Sequence, residues 1–130
     1  MHITLETDYA IRIVTCLSTA DERMEAKRIA ENTGVTLRFS LKILRKLVGA
    51  GLVKSYKGIK GGYDLAKPPG EISVHDVISS VEGPFSINRC AHDGFECNRN
   101  RALVANCPYH DAFCEISQLV RDRLNQLKIG

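Results

Sequence analysis

A mainly α fold interrupted by one two-stranded hairpin is what these 130 residues predict. Over most of the chain apolar residues recur at steps of three and four, the period of an amphipathic helix. Glycine and proline stand where those periodic stretches stop. One segment departs from the pattern: two short β-prone runs flank Lys57-Gly58-Ile59-Lys60-Gly61-Gly62, a turn rich in glycine.

The first helix is expected from Thr7 to Thr19, with Thr7 as its N-cap. Tyr9, Ile13 and Cys16, then Ala10, Val14 and Leu17, fall at helical spacing. Ala20 to Arg23 reads as a polar connection. A second helix, Glu25 to Asn32, is closed by Thr33-Gly34, where glycine can adopt the left-handed C-cap conformation. Thr36 opens a third helix running to about Gly49. Its Leu41, Leu44, Leu47 and Val48 are expected on the buried stripe, with Arg38, Lys42, Arg45 and Lys46 facing out. Helix, glycine turn and basic helix make a helix-turn-helix. The hairpin that follows, Leu52–Tyr56 with Tyr63–Ala66, is then a wing. Pro68-Pro69-Gly70 closes it, because neither proline can donate to a sheet ladder.

Ile72 to Glu82 reads as a fourth helix, capped by Ser73, with Val74, Val77, Ile78 and Val81 on its buried side and Gly83-Pro84 as its stop. Phe85 to Asn106 shows no sustained periodicity, and its cysteines point to a ligand-bearing loop. A last helix begins at Pro108, a residue suited to a first helical turn, and runs to about Lys128. Its Phe113, Ile116, Val120, Leu124 and Leu127 form an apolar stripe with little partner surface left in so small a domain, which predicts a homodimer. The expected organisation is therefore a winged helix-turn-helix DNA-binding domain over residues 1–83, a ligand-bearing loop over 84–107, and a long C-terminal dimerisation helix over 108–130.

The formal net charge of +3 is unevenly placed: seven Lys or Arg and no Asp or Glu lie between Val35 and Lys60. A one-sided basic surface favours a polyanionic partner, here double-stranded DNA. Thr36, Arg38, Ser40 and Lys42 occupy the end of the third helix that would enter the major groove, and Arg45 lies further along. Phe39 there suits either a thymine methyl or the core, with the core preferred. Lys57 and Lys60 at the wing, and Lys27 and Arg28 at the start of the second helix, suit phosphates. A dimer implies a two-fold operator. Nothing in the sequence suggests a nucleophile–base pair or a nucleotide cradle, so no enzymatic activity is expected. The acidic N-terminus lacks the apolar run of a signal peptide, and no segment reaches the roughly 18 to 20 apolar residues that span a bilayer. A cytoplasmic protein is expected.

In that compartment clustered cysteines are more often metal ligands or redox-active thiols than disulfides. Four of the five cysteines fall in Cys90-x6-Cys97-x9-Cys107-x2-His110-x3-Cys114, with His92 among them. Cys107, His110 and Cys114 recur one turn apart at the start of the last helix, so Cys114 can substitute for or back up His110. Three chemistries use such a set: an iron–sulfur cluster, a zinc site, and cofactor-free redox thiols. Zinc sites usually include a tight Cys-x2-Cys pair, which this chain lacks. Cys16 is expected to be a small buried hydrophobe. His2 and His75 carry no spacing signal and read as surface or capping residues.

Ile3-Thr-x-x-Thr-Asp-Tyr-Ala-Ile-Arg12, the wing Lys57-Gly-x-x-Gly-Gly-Tyr-x-Leu-Ala-Lys-x-Pro69, Ile72-Ser-Val-x-Asp-Val-Ile78, Val81-Glu-Gly-Pro84 and the Cys107-x-x-His110 pair together resemble the Rrf2 family along nearly the whole chain. These are the small winged-helix regulators typified by IscR, NsrR and RirA. The resemblance implies a bacterial, homodimeric transcription regulator with an iron–sulfur cluster between the loop and the other subunit. Cys90, Cys97 and Cys107 fall at the family's three cysteine positions. His110 matches the histidine ligand of the IscR branch, Asp8 the carboxylate that NsrR-like members supply from the partner chain, and Lys57 a wing residue that enters the minor groove. The nine-residue second gap and the extra Cys114 depart from the commonest pattern. They leave the fourth ligand open among His110, Asp8 and Cys114, and with it 2Fe–2S against 4Fe–4S. The function expected is control of operator affinity by the state of that cluster, the alternative being a zinc-stabilised or thiol-based regulator.

Overall fold

The structure, a computed structural model, describes residues 3–91 and 107–130. Five α-helices and one antiparallel hairpin are present among the described residues: α1 Leu5–Ser18, α2 Ala26–Thr33, α3 Leu37–Gly49, β1 Val53–Tyr56, β2 Gly62–Leu65, α4 Val74–Glu82 and α5 Pro108–Gln126. Short 3-10 turns fall at Pro69–Glu71 and Arg89–Ala91. This is the winged helix-turn-helix with a long C-terminal helix that the sequence predicts.

Capping decides where the helices begin. α1 starts two residues earlier than expected because Thr4, not Thr7, is its N-cap; the Thr4 hydroxyl accepts from Thr7 N at 3.2 Å. Thr7 is instead fully buried inside the helix. Thr36 caps α3 by accepting from Phe39 N, and Gly34 ends α2 at φ 71° as expected of a left-handed cap. Ser73 and Asp76 form a reciprocal capping box on α4, satisfying two amide donors that a helix start leaves open.

Ala10, Ile13, Val14 and Leu17 of α1 pack with Ile43, Leu44 and Leu47 of α3, Ile29 of α2 and Val77 of α4 in one core. The stripe that α3 buries is Ser40, Ile43, Leu44 and Leu47. Leu41 and Val48, expected inside, are exposed, because the small Ser40 sits against the core and rotates them outward. Cys16 is half-buried, its Sγ 3.7 Å from Met24 Sδ.

The wing pairs Val53 with Leu65 through Tyr56 with Gly62. It gains a third partner that the sequence did not suggest: Met24 exchanges two backbone hydrogen bonds with Tyr63, at 3.0 and 2.8 Å. Gly62 makes that approach possible. Its φ is 137°, and a Cβ there would stand 2.8 Å from Met24 O. The Arg23 guanidinium lies 3.3 Å above the Tyr56 ring and braces the turn end of the wing's ladder against the body.

α5 packs on α4, and the chain beyond it turns back. Val74 N donates to Leu127 O at 2.8 Å and Ile129 N to Ile72 O at 2.9 Å, so the helix ends at Gln126 rather than near Lys128. Ser117 is its one fully buried residue among those described; Val120 and Leu124 are half-buried, while Phe113, Ile116 and Leu127 are exposed.

Replacing Ser73 with Ala removes one half of the capping box and should cost about 1 kcal/mol, read from urea or thermal unfolding.

Candidate nucleic-acid interface and thiolate site

Burial of one α3 stripe leaves the opposite side of the helix in water. Arg38, Lys42 and Arg45 are exposed there, as are Lys27 and Arg28 on α2 and Lys57 and Lys60 on the wing. Thr36 is exposed too. Its oxygen accepts from Phe39 N, yet its hydroxyl proton stays available to an outside acceptor. Ser40 is a correction: at 0 % exposure its side chain faces the core, so it cannot reach DNA. Phe39, preferred for the core, is 43 % exposed and stands edge-on to Tyr9 with ring centroids 6.0 Å apart.

Not every cation on α3 is free. Glu6 of α1 pairs with Lys46 at 2.9 Å and with Lys42 at 3.4 Å. The Lys46 hydrogen bond lowers the Glu6 pKa, outweighing partial desolvation, and the charges of Lys46 and Lys42 add to it. Glu82 at the end of α4 accepts from the amide and the hydroxyl of Thr4. Burial there and the nearby Glu6 charge oppose ionisation, but the hydroxyls of Thr4 and Thr7 and the Thr4 amide outweigh them, and the Glu82 pKa is also lowered. The start of α1 is thus tied to both α3 and α4 by carboxylates.

The thiolate site grows from α5. His110, Cys114, Ser117 and Arg121 recur at steps of four, three and four, which puts them on one face. Ser117 Oγ accepts from Ile87 N at 3.0 Å, and Arg121 Nη1 donates to Phe85 O at 2.7 Å. These two bonds lay residues 85–87 along the helix and carry Cys90 to its first turn. There Cys90 Sγ lies 3.0 Å from His110 Nδ1, and the Asn88 side-chain amide donates to the same sulfur at 2.8 Å. Cys114 Sγ is on the other side of the ring, 3.6 Å from Nε2. Cys107 is the residue before α5, one turn ahead of His110.

Of the predicted ligands, Cys90 and His110 are therefore brought together, with Cys114 behind the ring. Cys97 and His92 lie outside the described residues. Asp8 pairs with Arg12 in its own helix at 2.9 Å. No group of three metal-binding side chains converges among the described residues. A sulfur and an imidazole nitrogen in contact, with an amide donor on the sulfur, are nonetheless the donor chemistry of a soft metal or cluster. Asn88, Ser117 and Arg121 were not singled out from the sequence. The polar stripe on α5 is the signal that would have found the last two; Asn88 has none beyond lying two residues before Cys90. His75 carries a buried Nε2 without a hydrogen-bond partner among the described residues, rather than a surface ring.

An exposed basic helix, a braced wing and a long terminal helix define a winged-helix DNA-binding regulator. The chain belongs to the Rrf2 family, described as "Iron-dependent Transcriptional regulator", whose match covers residues 3–130. It is 32% identical over 126 residues to protein aau3 of Rhizobium meliloti (strain 1021), across 96% of this chain and 75% of that protein. It is 28% identical over 107 residues to the HTH-type transcriptional regulator NsrR of Bacillus subtilis (strain 168), across 81% of this chain and 70% of NsrR. The structure of CymR (YrzC), the global cysteine regulator of B. subtilis, matches with a TM-score of 0.76 at 24% identity, over 99% of this chain and 93% of CymR, a likeness of fold. The family's role is transcriptional regulation, which is not enzymatic and implies DNA binding. No described helix is long and apolar enough to cross a membrane.

Both lowered carboxylates contribute stability above their unfolded pKa and lose it as pH falls through the folded value. Acidification from the ordinary glutamate pKa of about 4.3 downward should therefore loosen α1 from α3 and α4. Replacing Glu6 with Gln should remove its part of that slope and, because the pair is partly exposed, cost under about 1 kcal/mol near neutral pH. Unfolding measured against pH checks both.

Proposed function

We propose that the chain is a homodimeric transcription regulator whose grip on a two-fold operator is set by an iron–sulfur cluster. The observation that carries this reading is the Cys90–His110 contact at 3.0 Å, made by residues from different segments and held by the Ser117 and Arg121 bonds. Cys90, Cys97, Cys107 and His110 are the ligands proposed. His110 is preferred as the fourth because Nδ1 faces Cys90, Cys114 sits on the opposite ring nitrogen, and Asp8 is occupied by Arg12. When bound, the cluster would supply an oxidisable tie between the loop and α5. Asn88 bears on that tie directly, since donors to ligating sulfurs help to set cluster potentials.

The rest of the chain carries the response. α5 packs on α4, which packs on α1 and α3, so a change at the first turn of α5 bears on the helix that presents Arg38. Thr36, Arg38, Lys42 and Arg45 are the proposed contacts of the reading helix, Lys57 and Lys60 those of the wing, and Lys27 and Arg28 those of α2. Phe113, Ile116 and Leu119 (62 % exposed) leave an apolar face on α5 suited to a second copy of the chain.

Anaerobically purified protein should show visible iron–sulfur absorbance and contain iron and sulfide. His110→Ala should lose or shift that spectrum, whereas Asp8→Ala and Cys114→Ser should keep it. Colourless protein containing zinc, with DNA binding indifferent to oxidation, would replace the cluster by the zinc reading; metal-free protein would leave redox thiols. On DNA, Arg38→Ala should cost about 1–3 kcal/mol and relax one base preference, while Lys57→Ala should lower the salt slope by about 1. Titrations of the operator at several salt concentrations measure both.

A further inference from the structure

We propose that Ile59 is an apolar wedge that enters the minor groove of bound DNA and partly unstacks a base step; this rests on the DNA-binding reading above. Ile59 is 100 % exposed, the fullest exposure among the large apolar residues described, and it sits at the tip of the wing. That tip is a closed turn, since Gly61 N donates to Gly58 O at 2.9 Å. The turn is carried on the β1–β2 ladder, which the Met24–Tyr63 bridge and the Arg23–Tyr56 contact fix to the body. The isoleucine is thus presented rigidly, and its β-branched side chain has few rotamers to lose on insertion.

Its setting points to nucleic acid as the occupant. Exposed Lys57 and Lys60 flank it in sequence, and no carboxylate occurs from Val35 to Lys60; Glu22, Glu25 and Asp64 lie on the inner side of the wing, in the groove that Ile59 and Lys60 share with Arg23 and Arg28. Two cations beside one apolar tip match a groove walled by phosphates and floored by base edges. Architectural proteins use isoleucine, leucine or phenylalanine in this way, kinking the duplex at the step they enter. Lysines alone would position the wing on phosphates without reading a step; Ile59 adds a preference for easily unstacked pyrimidine–purine steps.

The test uses the full chain and a duplex bearing the sequence that the protein selects from a random pool, with 2-aminopurine placed across the wing-contacted step. Wild-type binding should raise the 2-aminopurine fluorescence and bend the duplex. Ile59→Ala and Ile59→Ser should abolish both signals and weaken binding about tenfold, whereas Ile59→Met should retain them. Lys57→Ala should weaken binding yet keep the fluorescence change at saturation. If Ile59→Ser binds, bends and unstacks like wild type, the wedge is overturned while the DNA-binding reading stands, as it would be for a tip that meets another protein. If the wild type binds no duplex, both fall. Circular dichroism confirms that each variant is folded, as expected for changes at a wholly exposed position.

Discussion

The buried stripe of α3 is the constraint from which the outward face of this protein follows. Ser40, Ile43, Leu44 and Leu47 are withdrawn from water against α1 and α4, and a helix that buries those four has no rotational freedom left. Arg38, Lys42 and Arg45 then have to face outward. Because Ser40 is small, α3 can lie close to the core, and the same rotation turns Leu41 and Val48 to solvent. A surface that reads as a cationic reading face is the complement of a packing solution, and it would be lost if the stripe shifted by one residue.

The two ends of α5 are held by different means, and the difference bears on function. Its C-terminal end is fixed by backbone pairing, with residues 127–130 bonded to the segment that opens α4. The rest of the helix is held to residues 85–90 by side chains along its length: Arg121, Ser117 and, at the first turn, the Cys90–His110 contact. Backbone pairing is insensitive to oxidation or to a ligand exchanged at sulfur. Of the side-chain contacts, the one through Cys90 Sγ is open to both. Under the proposed reading, chemistry at Cys90 would bear on an attachment of α5 that differs in kind from the backbone pairing at its other end. The carboxylates of Glu6 and Glu82 tie α1 to α3 and α4 in the same unit.

Much of this was legible in the sequence. The five helices, the wing, the Ser73 cap and the Gly34 stop follow from periodicity and from residues whose conformational preferences act locally. Where the structure departs from these preferences, a distant contact decides between neighbouring residues of similar type. Thr7 reads as a cap because it precedes an apolar run, whereas Thr4, the actual cap, is held to Glu82 across 78 residues. Leu41 and Val48 fit an apolar stripe as well as Ile43 does, and only the approach of α1 selects between them. Ser40 looked like a groove-facing hydroxyl for the same reason.

By itself the sequence determined the order and type of the elements, the basic stretch from Arg38 to Lys60, and the thiolate and imidazole donors with their spacing. These depend on the chain's local periods and on composition. Only the tertiary structure decided which face of α3 meets water, that Met24 joins the wing, and that Cys90 meets His110 across 20 residues while Asp8 stays with Arg12. The physical reason is that such contacts are fixed by packing one helix against another. A difference of one residue in register moves a side chain through about 100° and changes its partner.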